Sequence, residues 1–272
     1  MDSINFKSIQ YEEPTKALSP YVKFYLSLSF EAPDSPLWIP ADRRNQILIL
    51  KRGKVKLNTE ISTYEQAKIS VRHCFDTPLE VRFSSGMVEV IAIEFTPVGL
   101  HYLFDFDMKK NLNQIVRYKS SNHDIHFDEV NRTNFKSALD RALLMQLSNS
   151  KKKYSTEILA AIQLAEKSKG KYEIAVVPQS VGMHPKTFYR FFKKYTGLTP
   201  KRYFSITQFE SAILEIIKNQ SVDRMDLVTK SGYYDQSHLI KAIQKFSGST
   251  PDQINNLDSN WIQFLLQNNL YH

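Results

Sequence analysis

Two segments of the chain carry polar side chains at corresponding positions, about 51 residues apart. Arginine can bind guanine through two hydrogen bonds, glutamine can bind adenine in the same way, and histidine and lysine can meet a base or a phosphate. The residues are Lys186, Thr187, Tyr189 and Arg190 in the first segment, and Gln236, Ser237, His238 and Lys241 in the second. These residue types suit recognition of base edges and phosphates in duplex DNA.

Each segment leads into the same closing sequence. Residues 190–200 read RFFKKYTGLTP and residues 241–251 read KAIQKFSGSTP, so Gly197 and Gly248, like Pro200 and Pro251, are 51 positions apart. An internal repeat of this period indicates one structural unit built twice. Apolar residues at helical spacing broken by a glycine predict a helix, a tight turn and a second helix in each unit. A solvated helix face would explain each polar residue singly, but the correspondence between copies favours DNA contact.

The same pattern predicts how the polar side chains are positioned. The second helix of such a unit enters the major groove and presents its outward residues near its N-terminus. The inner faces are predicted to be Phe188, Phe191 and Phe192 in the first unit and Leu239, Ala242 and Ile243 in the second. Lys193 and Lys194 are expected to contact phosphates. A long helix over 201–218 is expected to join the units, and Asp235 is expected to cap the last reading helix.

The first hundred residues have a different character. Short apolar runs separated by prolines predict several strands and a small β-barrel or sandwich. We expect one hairpin turn at residues 51–54 and another at residues 84–86. A helix is predicted over Phe127–Leu147, after which the polar, basic stretch 148–153 is the best boundary between domains.

The fold class predicted is therefore α+β, with an N-terminal β-rich, barrel-like domain and a C-terminal all-α domain. Its expected divisions are residues 1–150, residues 151–257 and an apolar tail at residues 258–272. The net charge of +8 is uneven, because residues 151–272 carry +7 and residues 1–150 carry +1. Basic charge concentrated on the half that holds the repeat is the pattern expected for phosphate binding.

The second copy carries a resemblance to a known family. Gly232-Tyr-Tyr-Asp-Gln-Ser-His-Leu-Ile-Lys, followed by Phe246-Ser-Gly-Ser-Thr-Pro, resembles the signature of AraC/XylS-type bacterial transcription regulators. The resemblance extends over about 100 residues, from Tyr154 to about Ile254. It implies a seven-helix domain with two helix-turn-helix units, sequence-specific binding to double-stranded DNA in two successive major grooves, and RNA polymerase as a partner.

The resemblance is weaker, and less regular, elsewhere. Trp38-Ile39-Pro40 and Ile93-Glu94-Phe95-Thr96-Pro97 are similar to the β-rich sensor domain that precedes this module in the family. The sequence departs from the family at the positions Pro178, His184, Gln208, Val228 and Lys241. Since a proline inside a helix costs roughly 3 kcal/mol, the helix that contains Pro178 is expected to begin near Val177.

Two other classes of protein compete for the N-terminal half. A cupin-like barrel enzyme would need histidines and a carboxylate that converge on a metal, and the candidates are His73, His101, His123 and His126. The spacing of these four gives no matching ligand pair, so we expect no metal site, no cofactor and no enzyme. Cys74 suggests a sensor that acts through a reactive cysteine. A lone cysteine in a strand-like stretch, however, favours a buried structural thiol. A pure architectural DNA binder would not require so large a β-rich domain.

The remaining expectations concern partners and location. A small-molecule effector is expected at Tyr25, Trp38, Arg43, Phe95 and Tyr102, although these aromatic residues also suit an ordinary core. The predicted helix 127–147 is expected either to form a homodimer or to pack on its own domain. We find no signal peptide or membrane-spanning run, and a single cysteine favours a reducing cytoplasm.

Overall fold

Short strands form the first half of the chain because apolar runs there are interrupted every few residues by proline, glycine or charged turns. The computed structural model describes residues 4–58, 63–65, 67–84, 86–104, 106–118, 127–150, 152, 155–218 and 224–255. The strands are β1 (Phe6–Glu12), β2 (Val22–Glu31), β3 (Leu37–Ile39), β4 (Asn45–Arg52), β5 (Val55–Asn58), β6 (Thr63–Glu65), β7 (Ile69–Arg72), β8 (Leu79–Phe83), β9 (Met87–Phe95) and β10 (Ile115–Arg117).

The strands form two antiparallel sheets. One has six strands in the order β1-β2-β9-β4-β7-β10, and the other has four in the order β3-β8-β5-β6. Their apolar faces meet in a shared core that includes Phe30, Leu50, Leu57 and Val81. Among the described strands the sheets are not joined into a closed barrel, so the β-rich half is the sandwich that the sequence allowed as an alternative.

Both hairpin predictions are wrong. Strand β4 pairs with β7 and β9, whereas β5 pairs with β6 and β8. Strands β8 and β9 likewise lie in different sheets. The turns at Gly53 and Gly86, with φ of 91° and 97°, therefore carry the chain from one sheet to the other. This crossing brings apolar residues of β2, β4, β5, β8 and β9 into one interior between the two sheets.

Helices form the rest of the chain. They are α1 (Gly99–Leu103), α2 (Phe135–Asn149), α3 (Thr156–Lys167), α4 (Val177–Ser180), α5 (Pro185–Thr196), α6 (Pro200–Lys218), α7 (Arg224–Ser231), α8 (Gln236–Ser247) and α9 (Pro251–Asn255), with a short 3-10 turn at Phe127–Glu129. None of the described helices is long and apolar enough to cross a membrane. The predicted apolar tail, residues 258–272, lies outside the described residues.

Helix α2 is shorter than the predicted helix because asparagines form a local turn ahead of it. The Asn131 side-chain oxygen accepts from the amide of Thr133 at 2.9 Å, and the Asn134 side-chain oxygen accepts from the amide of Asn131 at 2.9 Å. Such side-chain bonds compete with helix formation. The helix packs on its own half of the molecule, where Leu139 and Leu143 are fully buried.

The two halves of the molecule share a buried network centred on Arg43. Its guanidinium donates from Nε to Glu210 Oε2 at 2.8 Å and from Nη1 to the Tyr203 hydroxyl at 2.8 Å, and Nη1 lies 3.5 Å from Glu166 Oε1. Burial is the largest single influence and disfavours the charged guanidinium, but Glu210, Tyr203 and Glu166 together outweigh it and raise the pKa of Arg43 above its usual range. Arg43, a residue predicted to bind an effector, therefore joins the β-rich half to α3 and α6.

The β-rich half also contacts the C-terminal ends of both reading helices. Gly197 and Gly248 are the left-handed caps of α5 and α8. A Cβ on Gly197 would lie 2.2 Å from His73 Nε2, and a Cβ on Gly248 would lie 3.5 Å from Pro78 Cγ. The Ala41 amide donates to the Phe246 carbonyl at 2.7 Å, so the backbone takes part in this contact.

We predict that Gly197→Ala destabilises the protein more than Gly182→Ala does. Both glycines have a left-handed φ, 77° and 70°, so each substitution carries the same backbone strain of roughly 1 kcal/mol. Only the new Cβ at position 197 meets the β-rich half, whereas nothing lies within 4 Å at position 182. The overlap adds about 1–3 kcal/mol. Denaturant unfolding of the full chain measures the difference, and equal losses would show that the halves are not docked in solution.

A second prediction concerns acid. His73 is fully buried, and burial, reinforced by the adjacent Arg72, lowers its pKa to about 3. Because the unfolded chain takes up a proton near pH 6.5, this group's contribution to stability is complete above pH 6.5 and falls as the pH drops toward 3. His73→Gln is therefore expected to flatten the decline of the unfolding free energy over this window. His184→Gln, at an exposed helix cap, is the control and is expected to leave the decline unchanged.

Candidate nucleic-acid interface

The first unit consists of α4, a turn at Gly182 and α5. Helix α4 begins at Val177 with Pro178 in its first turn, as the sequence predicted, since a first-turn amide needs no partner within the helix. Phe188 and Phe192 are fully buried, and the Phe192 ring meets the Tyr203 ring edge-on at 5.3 Å between centroids. These contacts fix which face of α5 is turned outward.

The predicted reading residues of the first unit lie on that outward face. Lys186, Tyr189 and Arg190 are exposed, and Thr187 is half-buried. The Arg190 guanidinium lies 5.1 Å from the centre of the Phe191 ring, which limits its range of orientations. Lys193 and Lys194 are exposed in the last turn of the same helix.

The second unit consists of α7, a turn at Gly232 and α8. The Asp235 carboxylate accepts from the His238 amide at 2.7 Å, which confirms the predicted helix cap. Leu239 and Ile243 are buried, whereas Ser237, His238 and Lys241 are exposed and Gln236 is half-buried. Tyr234, immediately before the cap, is 91% exposed. Sequence reasoning missed Tyr234, although an aromatic residue in a polar turn is a usable signal.

Helix α6 holds the two units in one arrangement. It has 19 residues and is therefore about 28 Å long. The Gln208 side-chain amide donates to the carbonyls of Ser231 and Gly232 at 2.9 Å each, which binds α6 to the turn of the second unit. Phe192 of the first unit and Phe246 of the second both pack on α6, against Tyr203 and Phe209. Because both reading helices pack on α6, their positions relative to each other are fixed.

A cavity of about 110 Å³ lies between the two sheets of the β-rich half. Most of its lining is aliphatic, and one end is polar. Arg44 and Glu94 form an ion pair at 2.8 Å at that end, and Arg72 and Asp42 form another at 2.7 Å. The lining residues are Leu26, Leu28, Phe30, Ile39, Asp42, Arg44, Gln46, Leu48, Leu50, Val55, Leu57, Arg72, Leu79, Val81, Phe83, Val88, Val90, Ala92 and Ile115.

The five predicted effector residues are not brought together and do not line this cavity. Tyr25 is buried beneath α2 and donates its hydroxyl to Asp140 at 2.9 Å. Trp38 is 43% exposed, and Phe95 is buried in the core beneath α2. Tyr102 stacks on Tyr195 with 5.6 Å between ring centres, at the junction of the two halves. Aromatic residue type alone does not tell which face of a strand a side chain occupies.

His73 and Cys74, which suggested other chemistry, are part of the packing. His73 donates from Nδ1 to the Asn45 side-chain oxygen. Cys74 is buried, and this burial raises the pKa of its thiol well above the usual value. Among the described residues no group of three or more histidines, cysteines and carboxylates can hold a metal ion. His123 and His126 lie outside the described residues.

One comparison with known proteins matches part of the helical half, and others match nearly the whole chain. The model of a helix-turn-helix domain matches residues 179–256. An apo variant of ToxT from Vibrio cholerae has 9% sequence identity and a TM-score of 0.50, covering 90% of this chain and 99% of its own. ToxT with an unsaturated fatty acid bound has 10% identity and a TM-score of 0.48, covering 94% and 98%. The AraC-like transcriptional activator CuxR has 12% identity and a TM-score of 0.29, covering 94% and 90%. A search of curated proteins gives no match.

The matched segment begins in α4 and ends after α9, so it contains both reading helices and the helix that joins them. The likeness to apo ToxT shows that the β-rich half and the helical half share their fold with that protein. Residues 179–256 are therefore an AraC-type helix-turn-helix domain, and the chain that carries them is a DNA-binding transcription regulator.

Proposed function

We propose that residues 151–257 bind duplex DNA by inserting α5 and α8 into two successive major grooves. The observation that carries the proposal is the paired geometry of the units, in which two reading helices of equal length present exposed polar residues and are fixed by one helix. Successive major grooves on one face of DNA are roughly 34 Å apart. A strut of about 28 Å with reading helices beside it suits this spacing.

Within this proposal the outward residues have different tasks. Lys186, Thr187, Tyr189 and Arg190 read one half-site, and Gln236, Ser237, His238 and Lys241 read the other. Lys193 and Lys194 contact phosphates, which position the protein without reading sequence. A regulator of this kind acts through RNA polymerase in the cytoplasm and catalyses no reaction of its own.

For the β-rich half, residues 1–150, we propose a sensor function centred on the cavity between its sheets. The volume of about 110 Å³ is comparable with the ~150 Å³ engineered cavity that binds benzene. A small, mostly apolar effector with one polar group suits this lining, because Gln46 and the two ion pairs occupy a single end. The exposed side chains of Leu144 and Met145 on α2 offer a surface for homodimer formation.

The DNA proposal predicts separate half-sites for the two reading helices. A duplex selected from a random pool by the wild-type chain serves as the probe. Arg190→Ala is expected to weaken binding by about 1–3 kcal/mol and to relax base preference in one half-site. Lys241→Ala is expected to weaken binding at the other half-site. The loss of affinity is expected to differ less between sequences, because lysine lacks the planar fork of arginine. Footprints of the two variants measure this, and disturbance of the same half-site by both would refute the assignment.

The phosphate contacts supply the matched control. Lys193→Ala and Lys194→Ala are each expected to lower the affinity for the selected duplex and for an unrelated duplex by the same factor. Each is also expected to flatten the dependence of affinity on salt. A change in base preference with either variant would mean that the C-terminal part of α5 also reads sequence.

The sensor proposal predicts that a small apolar probe stabilises the protein. Benzene is expected to raise the melting temperature of the wild-type chain, since it binds the folded state alone. Ala92→Met, which fills the cavity, is expected to abolish the rise. Ala142→Met makes the same substitution on α2, outside the cavity lining. Benzene is still expected to raise the melting temperature of this variant. Equal responses of the two variants would place the probe elsewhere.

A further inference from the structure

One row of side chains forms the polar end of the cavity between the two sheets. Gln46 of β4 lies directly opposite Glu94 of β9, and Phe24 of β2 lies on the other side of Glu94. Residues that face each other across neighbouring antiparallel strands project from the same face of the sheet. Because Phe24 is buried in the core between the sheets, the side chains of Gln46 and Glu94 also point into that core. Gln46 itself lines the cavity.

Glu94 fixes the orientation of the Gln46 amide. Gln46 Nε2 lies 2.7 Å from Glu94 Oε2, and Arg44 donates to the same oxygen from Nε at 3.0 Å and from Nη2 at 2.8 Å. A carboxylate bound by a guanidinium accepts hydrogen bonds and donates none, so the amide nitrogen must be the atom turned toward Glu94. The side-chain oxygen is therefore the polar atom of Gln46 that remains for a ligand.

Two oxygen atoms at this end of the cavity accept no hydrogen bond from the described residues. One is Gln46 Oε1. The other is Glu94 Oε1, which is buried, because all three N–H groups bind Oε2 of the same carboxylate. A buried acceptor without a donor lowers stability. A molecule that brings a donor to this end supplies a hydrogen bond that the described residues lack.

The charges at this end are already balanced. Arg44 pairs with Glu94 at 2.8 Å, and all four charged side chains are buried because a second pair, Arg72 with Asp42, lies beside the first at 2.7 Å. A carboxylate ligand would bring an unpaired negative charge and would place an acceptor against Gln46 Oε1. An ammonium ligand would bring an unpaired positive charge. Burial of an unpaired charge costs far more than burial of a neutral polar group, so the balance favours a neutral donor.

The rest of the lining limits the size of the ligand. Aliphatic side chains from both sheets surround most of the volume of about 110 Å³, which suits one ring or a short branched chain. A sugar carries several hydroxyl groups, and most of them would lie against this apolar wall without partners. The cavity therefore suits a single neutral donor on an apolar body.

We propose that this cavity binds a small alcohol or phenol, with the apolar body among the aliphatic side chains and the hydroxyl group donating to Gln46 Oε1. The proposal rests on the proposed sensor function and names the chemical class of its effector. Gln46 selects the polar group of the ligand, and Glu94 positions Gln46 for this task.

Calorimetric titrations of the full chain with phenol, fluorobenzene, benzene and benzoate test the proposal. Phenol is expected to bind about 2- to 10-fold more tightly than fluorobenzene, which is similar in size but has no O–H group to donate. Benzoate is expected to bind more weakly than any of the neutral probes, because its charge would be buried without a partner. Fluorobenzene binding more tightly than phenol, or benzoate binding more tightly than phenol, would overturn the proposal.

Gln46→Met tests the residue that selects the ligand, because methionine is similar in volume and lacks the amide oxygen. This variant is expected to bind phenol at least about tenfold more weakly, since the hydroxyl group would be buried without a partner. Its affinity for benzene is expected to stay the same. Gln10→Met makes the same substitution at an exposed position of β1 and is expected to change neither affinity.

The outcomes separate this proposal from the sensor function on which it rests. If the wild-type chain binds neither benzene nor phenol, both proposals fail. If benzene binds and Ala92→Met abolishes its binding, but Gln46→Met leaves the affinity for phenol unchanged, only the proposed ligand class is overturned. If Gln46→Met does not fold, the ratio of the phenol and fluorobenzene affinities of the wild-type chain decides. A ratio above one supports the proposal, and a ratio of one or less overturns it.

Discussion

The relation between the two halves of this molecule depends on the buried contact between Arg43 and Glu210. Glu210 is fully buried, and removal of one partner from such a pair typically costs about 3–5 kcal/mol. Tyr203 and Glu210 both lie on α6, two helical turns apart, and both accept hydrogen bonds from the same guanidinium. One side chain of the β-rich half therefore sets the rotation of α6 about its axis, and both reading helices take their orientation from α6.

The contacts at the caps extend this control to the reading helices themselves. The β-rich half meets α5 and α8 at Gly197 and Gly248, which are corresponding positions of the repeat. The residues proposed to read bases lie in the first turns, at the opposite ends of helices about 18 Å long. DNA and the β-rich half therefore act on opposite ends of the same two helices, and contact with one does not require release of the other.

The helical half was predictable because its signals are local. Repeat spacing, cap residues and the first-turn proline Pro178 each specify a boundary within a few residues, and the observed helices follow them. The β-rich half was less predictable because strand partners are distant. A glycine turn such as Gly53 looks the same whether it closes a hairpin or carries the chain between sheets. The partner of Arg43 lies 167 residues away, and nothing near Arg43 indicates it.

The segment from Ala41 to Gln46 alternates between two environments. Asp42, Arg44 and Gln46 line the cavity, whereas Ala41 and Arg43 face the helical half. Because side chains of an extended chain alternate with a period of two, inserting or deleting one residue here would exchange the two sets. Arg43 would then enter the sandwich and leave Glu210 without its cation. The length of this stretch is therefore constrained as strongly as its buried charged residues, and an alignment of relatives is expected to run through it without gaps.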